Sequence, residues 1–136
     1  MKENIIEKKS YSFALGTIDL YKKLSSSNEY VLSKQLLRSG TSIGANVAEG
    51  VRAQSRKDFI SKMNIALKEA NETEYWIRLL MDSKYVDRNK YTNYLHNCSE
   101  LCRILNSIVK TSKENLYNTV EELLDNNYEI TVHKSQ

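Results

Sequence analysis

Proline is absent from the 136 residues, and glycine occurs four times. So little punctuation disfavours a β-sandwich, which needs many sharp turns, and permits long uninterrupted helices. No apolar run approaches the roughly 20 residues that span a bilayer, and the opening MKENIIEKKS lacks the apolar stretch and small-residue cleavage site of a signal peptide. A cytoplasmic location with no membrane partner is the expectation. The two cysteines, Cys98 and Cys102, lie one helical turn apart, which fits one helix face in a reducing compartment better than a disulfide framework.

Chemistry is equally sparse. A di-metal bundle needs Glu-x-x-His pairs on two helices, and neither His96 nor His133 has a glutamate at that spacing. His96 lies about 200° around a helix from Cys98, so those two and Cys102 cannot converge on zinc. Gly40-Thr41-Ser42-Ile43-Gly44 lacks the Gly-Lys-Ser/Thr of a phosphate loop and falls inside a helical period. No triad can be assembled around one histidine in the folded body. The expectation is a protein that is not an enzyme, with no catalytic residues, metal, cofactor or small-molecule substrate.

What is present is helical periodicity. One helix is expected from about Asn4 to Leu24, carrying Ile6, Phe13, Leu20 and Leu24, and the run Ser25 to Asn28 breaks it. A second starts between Ser27 and Ser33 and runs to about Ala53, with Leu36, Ile43 and Val47 beside a small-residue ridge of Gly40, Gly44 and Ala48. Two glycines inside a helix cost about 1 kcal/mol each, so close approach of a neighbour is the natural compensation. Ser55-Arg56-Lys57-Asp58 reads as a capping box opening a third helix to about Ser83. Asp87 caps a fourth, with the seam Tyr91, Leu95, Cys98, Cys102, Leu105 and Val109. Short connections make successive helices antiparallel, giving an all-α, up-down-up-down four-helix bundle over residues 1–112. Residues 113–136 read as a weakly helical stretch, up to a short extra helix, ending in a mobile acidic tail.

Two surfaces stand out. Helix 3 carries Ile65, Trp76, Leu79 and Leu80 off its main stripe, and helix 4 carries Tyr94, Leu101, Ile104 and Ile108 beside its seam. This surplus implies either a wide contact between helices 3 and 4 or burial against another subunit. Ile65, Trp76, Leu80, Leu101 and Ile108 are the expected oligomer interface. The second surface is basic: Lys34, Arg38, Arg52 and Arg56 fall within about 40° on a helical wheel, with Lys57 adjacent. Lysine and arginine total 18 against 12 acids over residues 1–112, and 2 against 5 over 113–136, so the body is +6 and the tail −3. The basic edge is either a solvated face or a row of phosphate contacts.

LSKQLLRSGTSIGANVAEG at 32–50 and KDFISKMNIALKEANETEYWIRLL at 57–80 strongly resemble the bacterial four-helix bundle proteins related to those encoded in intervening sequences of large-subunit ribosomal RNA genes. The resemblance covers about residues 5–110. It places Gln35, Arg38, Ser39, Ser42, Asn46 and Glu49 in the helix 2 signature, and Glu69, Glu72 and Trp76 in that of helix 3. It implies ring- or barrel-like pentamers, and relatives among retroelement accessory proteins that bind nucleic acid and partner a reverse transcriptase. RNA or DNA, a reverse transcriptase and further copies of the chain are the partners to be expected. A structural or protein-interaction module without nucleic-acid binding is the alternative.

Overall fold

The computed structural model describes the backbone of residues 4–134 and the side chains of residues 4–126. It holds four helices: α1 Ile5–Ser26, α2 Leu32–Val51, α3 Arg56–Asp82 and α4 Thr92–Lys134. Asn4 caps α1 by accepting from the Glu7 amide at 3.2 Å, and Ser55 caps α3 by accepting from the Asp58 amide at 3.1 Å, each satisfying an amide the first turn leaves unpaired. Within the first connection Asn28 adopts the left-handed region with φ 66°, where a short polar side chain is tolerated.

The start of α2 uses a device that the sequence reading did not identify. Glu29, buried to 7 % exposure, accepts from the amides of Val31 at 3.2 Å, Leu32 at 2.9 Å and Ser33 at 2.7 Å. One carboxylate thus serves three donors at the positive end of the helix. Asp87 opens a turn rather than α4 itself, accepting from the Asn89 amide at 3.0 Å before the helix begins at Thr92.

Cross-helix pairs fix the topology. Gly40 faces Thr17 and Gly44 faces Ser10 across α1/α2. Ser39 meets Thr73, and Glu49 pairs with Lys62, across α2/α3. Thr17 meets Tyr94, and Lys9 pairs with Glu100, across α1/α4. Each sequence number rises on one helix as it falls on the other, so these neighbours are antiparallel. Each helix packs on its chain neighbours, and α4 closes the square on α1 through the thinnest seam. Among the described residues there is no helix long and apolar enough to cross a membrane.

The core is filled by Leu36, Ile43, Met63, Ile77, Leu80, Leu101 and Leu105, with the small Ala66, Ala70 and Cys98 between them. Buried hydroxyls donate to carbonyls three or four residues back along the chain: Thr17 to that of Phe13 at 3.0 Å within α1, Ser33 to that of Glu29 at 2.7 Å in the connection before α2. Thr17 also accepts from the Tyr94 hydroxyl at 2.7 Å, and the Tyr94 ring stacks on Phe13 with centroids 4.6 Å apart.

One boundary differs from expectation. Instead of weakening near Ser112, α4 continues without a break to Lys134, because no glycine or proline follows Gly50 and the Lys, Glu and Leu of this stretch are good helix formers. The tail's side chains from 127 onward, and residues 135–136 entirely, lie outside the described residues.

Candidate nucleic-acid interface and assembly surface

The five cations of the expected basic edge do not form one row. α2 ends at Val51 and α3 begins at Arg56, so Arg56 and Lys57 lie in the first turn of α3, beyond a change of chain direction. The wheel assumed a helix running through Arg56, and the chain turns before it.

Arg38 is bound internally. One guanidinium nitrogen lies 3.3 and 3.2 Å from the Glu69 carboxylate oxygens, and the other 2.6 and 2.7 Å from those of Glu72. This is a fork across α2/α3, with Glu69 largely covered and Glu72 about one-third exposed. Hydrogen bonds to Glu72 and then Glu69 raise the Arg38 pKa. The Arg38 bond holds the Glu72 carboxyl below its usual range. The indole N–H of Trp76 donates to Glu72 at 3.2 Å, so the signature residues Arg38, Glu69, Glu72 and Trp76 form one network. Behind it, the Ser39 and Thr73 hydroxyls meet at 2.9 Å in the core.

Arg52 is also engaged, donating to Glu7 of α1 at 3.1 Å and to the Ala48 carbonyl at 3.0 Å. Lys34, Arg56 and Lys57 are exposed and form no ion pair among the described residues. The candidate phosphate contacts therefore divide into three available cations and two that brace the bundle.

The expected oligomer interface needs a sharper correction. Leu80 and Leu101 are 0 % and 1 % exposed; they belong to the protomer's own core and cannot meet another subunit. α3 touches α2 on one side and α4 on the other, so it must be apolar over a wide arc, and most of the surplus reflects that position. Trp76 and Ile108 are half-buried against the core, and Ile65 is 38 % exposed. Tyr75, 56 % exposed with its ring edge-on to Trp76, adds an aromatic the sequence reading passed over. Glu74, the acid within the apolar stripe of α3, accepts from the Ser99 hydroxyl at 2.7 Å and pairs with Arg78. Cys98 is a buried free thiol that donates to the Ala70 carbonyl at 3.4 Å; a hydrogen bond with the Cys102 thiol and burial push its pKa well up, so it packs as a small apolar group. His96 is exposed.

Fold and surface together define an antiparallel four-helix bundle in which the signature residues Arg38, Ser39, Glu49, Glu69 and Glu72 bridge α2 and α3, while Ser42 and Asn46 bond back to carbonyls within α2. The chain matches the profile of the 23S rRNA-intervening sequence proteins over residues 2–107, and it belongs to that family. It is similar to a crystal structure from Bacteroides thetaiotaomicron, a protein of unknown function from the S23 ribosomal protein family. That similarity is 51 % identity and a TM-score of 0.75, covering 78 % of this chain and 99 % of that one. No curated protein matches the chain. The family match ends at residue 107, whereas α4 continues to Lys134.

Proposed function

We propose that this protein is a non-enzymatic, homo-oligomeric nucleic-acid-binding accessory subunit that holds RNA or DNA by its phosphates. The observation that carries the reading is the division among the basic residues. Arg38 and Arg52 are consumed by Glu69, Glu72 and Glu7, yet the +6 body still presents Lys34, Arg56 and Lys57 with no ion partner among the described residues. Such cations give affinity without sequence preference. Membership of a family named for 23S rRNA intervening sequences makes RNA the first polyanion to try. A reverse transcriptase as protein partner rests on the resemblance alone.

Assembly serves this reading, because one protomer offers few phosphate contacts and repetition around an oligomer raises their effective concentration. The face of α3 carrying exposed Ile65 and Tyr75, with half-buried Trp76 beside them, is the surface for it, and a pentamer is the size the family resemblance implies. Ile65→Lys should lower the sedimentation mass while leaving the helical CD signal intact; a wild-type protein already at the single-chain mass refutes assembly. Filter binding of RNA and duplex DNA at two salt concentrations tests the primary reading. Binding that weakens steeply with salt supports it, and no binding to either polymer at low salt overturns it.

A further inference from the structure

Beyond Ser112, α4 leaves the bundle. It projects about 33 Å from there to Lys134 at 1.5 Å per residue. The segment is amphipathic: Leu116, Val120 and Leu123 recur at helical spacing, with Tyr117 and Leu124 flanking them on the same side. Four of these are well exposed, Tyr117 at 64 %, Val120 at 47 %, Leu123 at 58 % and Leu124 at 62 %. Such a stripe on a solvated helix is not a stable end state for apolar surface. At its base lies an open groove of about 390 Å³ between α3 and α4, lined by Ile60, Leu116, Tyr117 and Val120 and edged by Lys57 and Lys113.

Charge along the extension is polarised. Lys110 and Lys113 stand at its base beside a single acid, Glu114, with Lys57 across the groove, so the base is basic in net, while Glu121, Glu122 and Asp125 stand toward its far end. Two extensions side by side in the same direction would set acid against acid. Turned end for end, they set the acidic end of each beside the basic base of the other.

We propose that the α4 extension is a docking arm for a second copy of this chain, two arms pairing antiparallel about a twofold axis near Val120. The stripe is nearly symmetric about Val120, with Leu116 four residues before it and Leu124 four after, as an isologous contact requires. In that register Leu116 of each copy faces Leu124 of the other, and Asp125 comes within about one helical turn of the opposing Lys113 and Glu114, the net-basic base with Lys57 and Lys110 close by. The far half of each stripe then covers the groove floored by Ile60. This contact is separate from the Ile65 and Tyr75 face, so it joins two protomers or two larger assemblies, and it stands or falls independently of nucleic-acid binding.

Sedimentation of the full chain and its Val120→Glu/Leu123→Glu variant supplies the first test. Both residues are exposed in the protomer, so the fold should persist, which far-UV CD checks, and the variant should have half the wild-type mass. Cysteine linking then reports direction. Under mild oxidation Val120→Cys should form a covalent dimer on a non-reducing gel, whereas Asp125→Cys should not, its two copies standing about 15 Å apart along the antiparallel pair. The wild-type chain, with Cys98 buried and Cys102 half-buried, provides the background. Equal masses for wild type and variant overturn the proposal. So does linking through Asp125→Cys, which would mean parallel arms, or failure of Val120→Cys to link when the double variant has split the assembly.

Discussion

Glu29 shows how one side chain can substitute for a local cap. Burial alone would raise its pKa, but the amides of Leu32, Ser33 and Val31 outweigh that, and the carboxyl titrates below the ordinary 4.5. Because the folded pKa is depressed, its stabilisation is complete above about pH 4.5 and is lost as pH falls through the folded value. Glu72, lowered by Arg38, behaves in the same sense. Glu29→Ala should cost about 1.5–3 kcal/mol at pH 7, the range for hydrogen bonds to a charged group. Urea midpoints should show that difference narrowing below pH 4.5; a constant gap down to pH 3 would mean that Glu29 is not held as the anion. Arg38 belongs to the same scale. Arg38→Ala opens an exposed two-acid fork and should cost about 1 kcal/mol, since half-exposed pairs are screened by solvent. A loss of nucleic-acid affinity with unchanged stability would instead place Arg38 on the binding surface.

Among the elements, the α1/α2 contact is the most demanding. A Cβ on Gly40 would stand 2.6 Å from the Thr17 methyl and 2.7 Å from its hydroxyl, whereas one on Gly44 would meet the Ser10 carbonyl oxygen at 3.2 Å. Gly40→Ala should therefore destabilise more than Gly44→Ala, by about 1–3 kcal/mol from overpacking. Combining it with Thr17→Ala should recover part of the loss, and additive thermal shifts in that double-mutant cycle would show that the two residues do not meet. The ridge of Gly40, Gly44 and Ala48 was readable from spacing, as were the Asn4-to-Leu24 helix and the Ser55 cap, because these follow from local periodicity and capping chemistry. What escaped was non-local. Nothing near Arg38 in sequence announces Glu69 and Glu72 some thirty positions on, and a helical wheel cannot tell that the chain turns between Arg52 and Arg56. Leu80 and Leu101 were misplaced for the same reason: apolar width on a helix does not say whether one neighbour covers it or two.

At the scale of the whole molecule, the polar family signature and the candidate binding surface separate. Arg38, Glu72 and Trp76 are tied to one another, while Lys34 and Arg56 lie at opposite ends of the α2 length with no internal ion partner among the described residues. Binding of RNA should then depend on the second set and hardly on the first. The most direct measurement is the slope of log affinity against log salt for wild type, Lys34→Glu/Arg56→Glu and Arg38→Ala, with oligomer mass followed in parallel. The account predicts a steep wild-type slope, a flatter one with weaker binding to every sequence for the double variant, and a wild-type slope for Arg38→Ala. A double variant that binds as tightly and with the same slope as wild type, at unchanged mass, would contradict it.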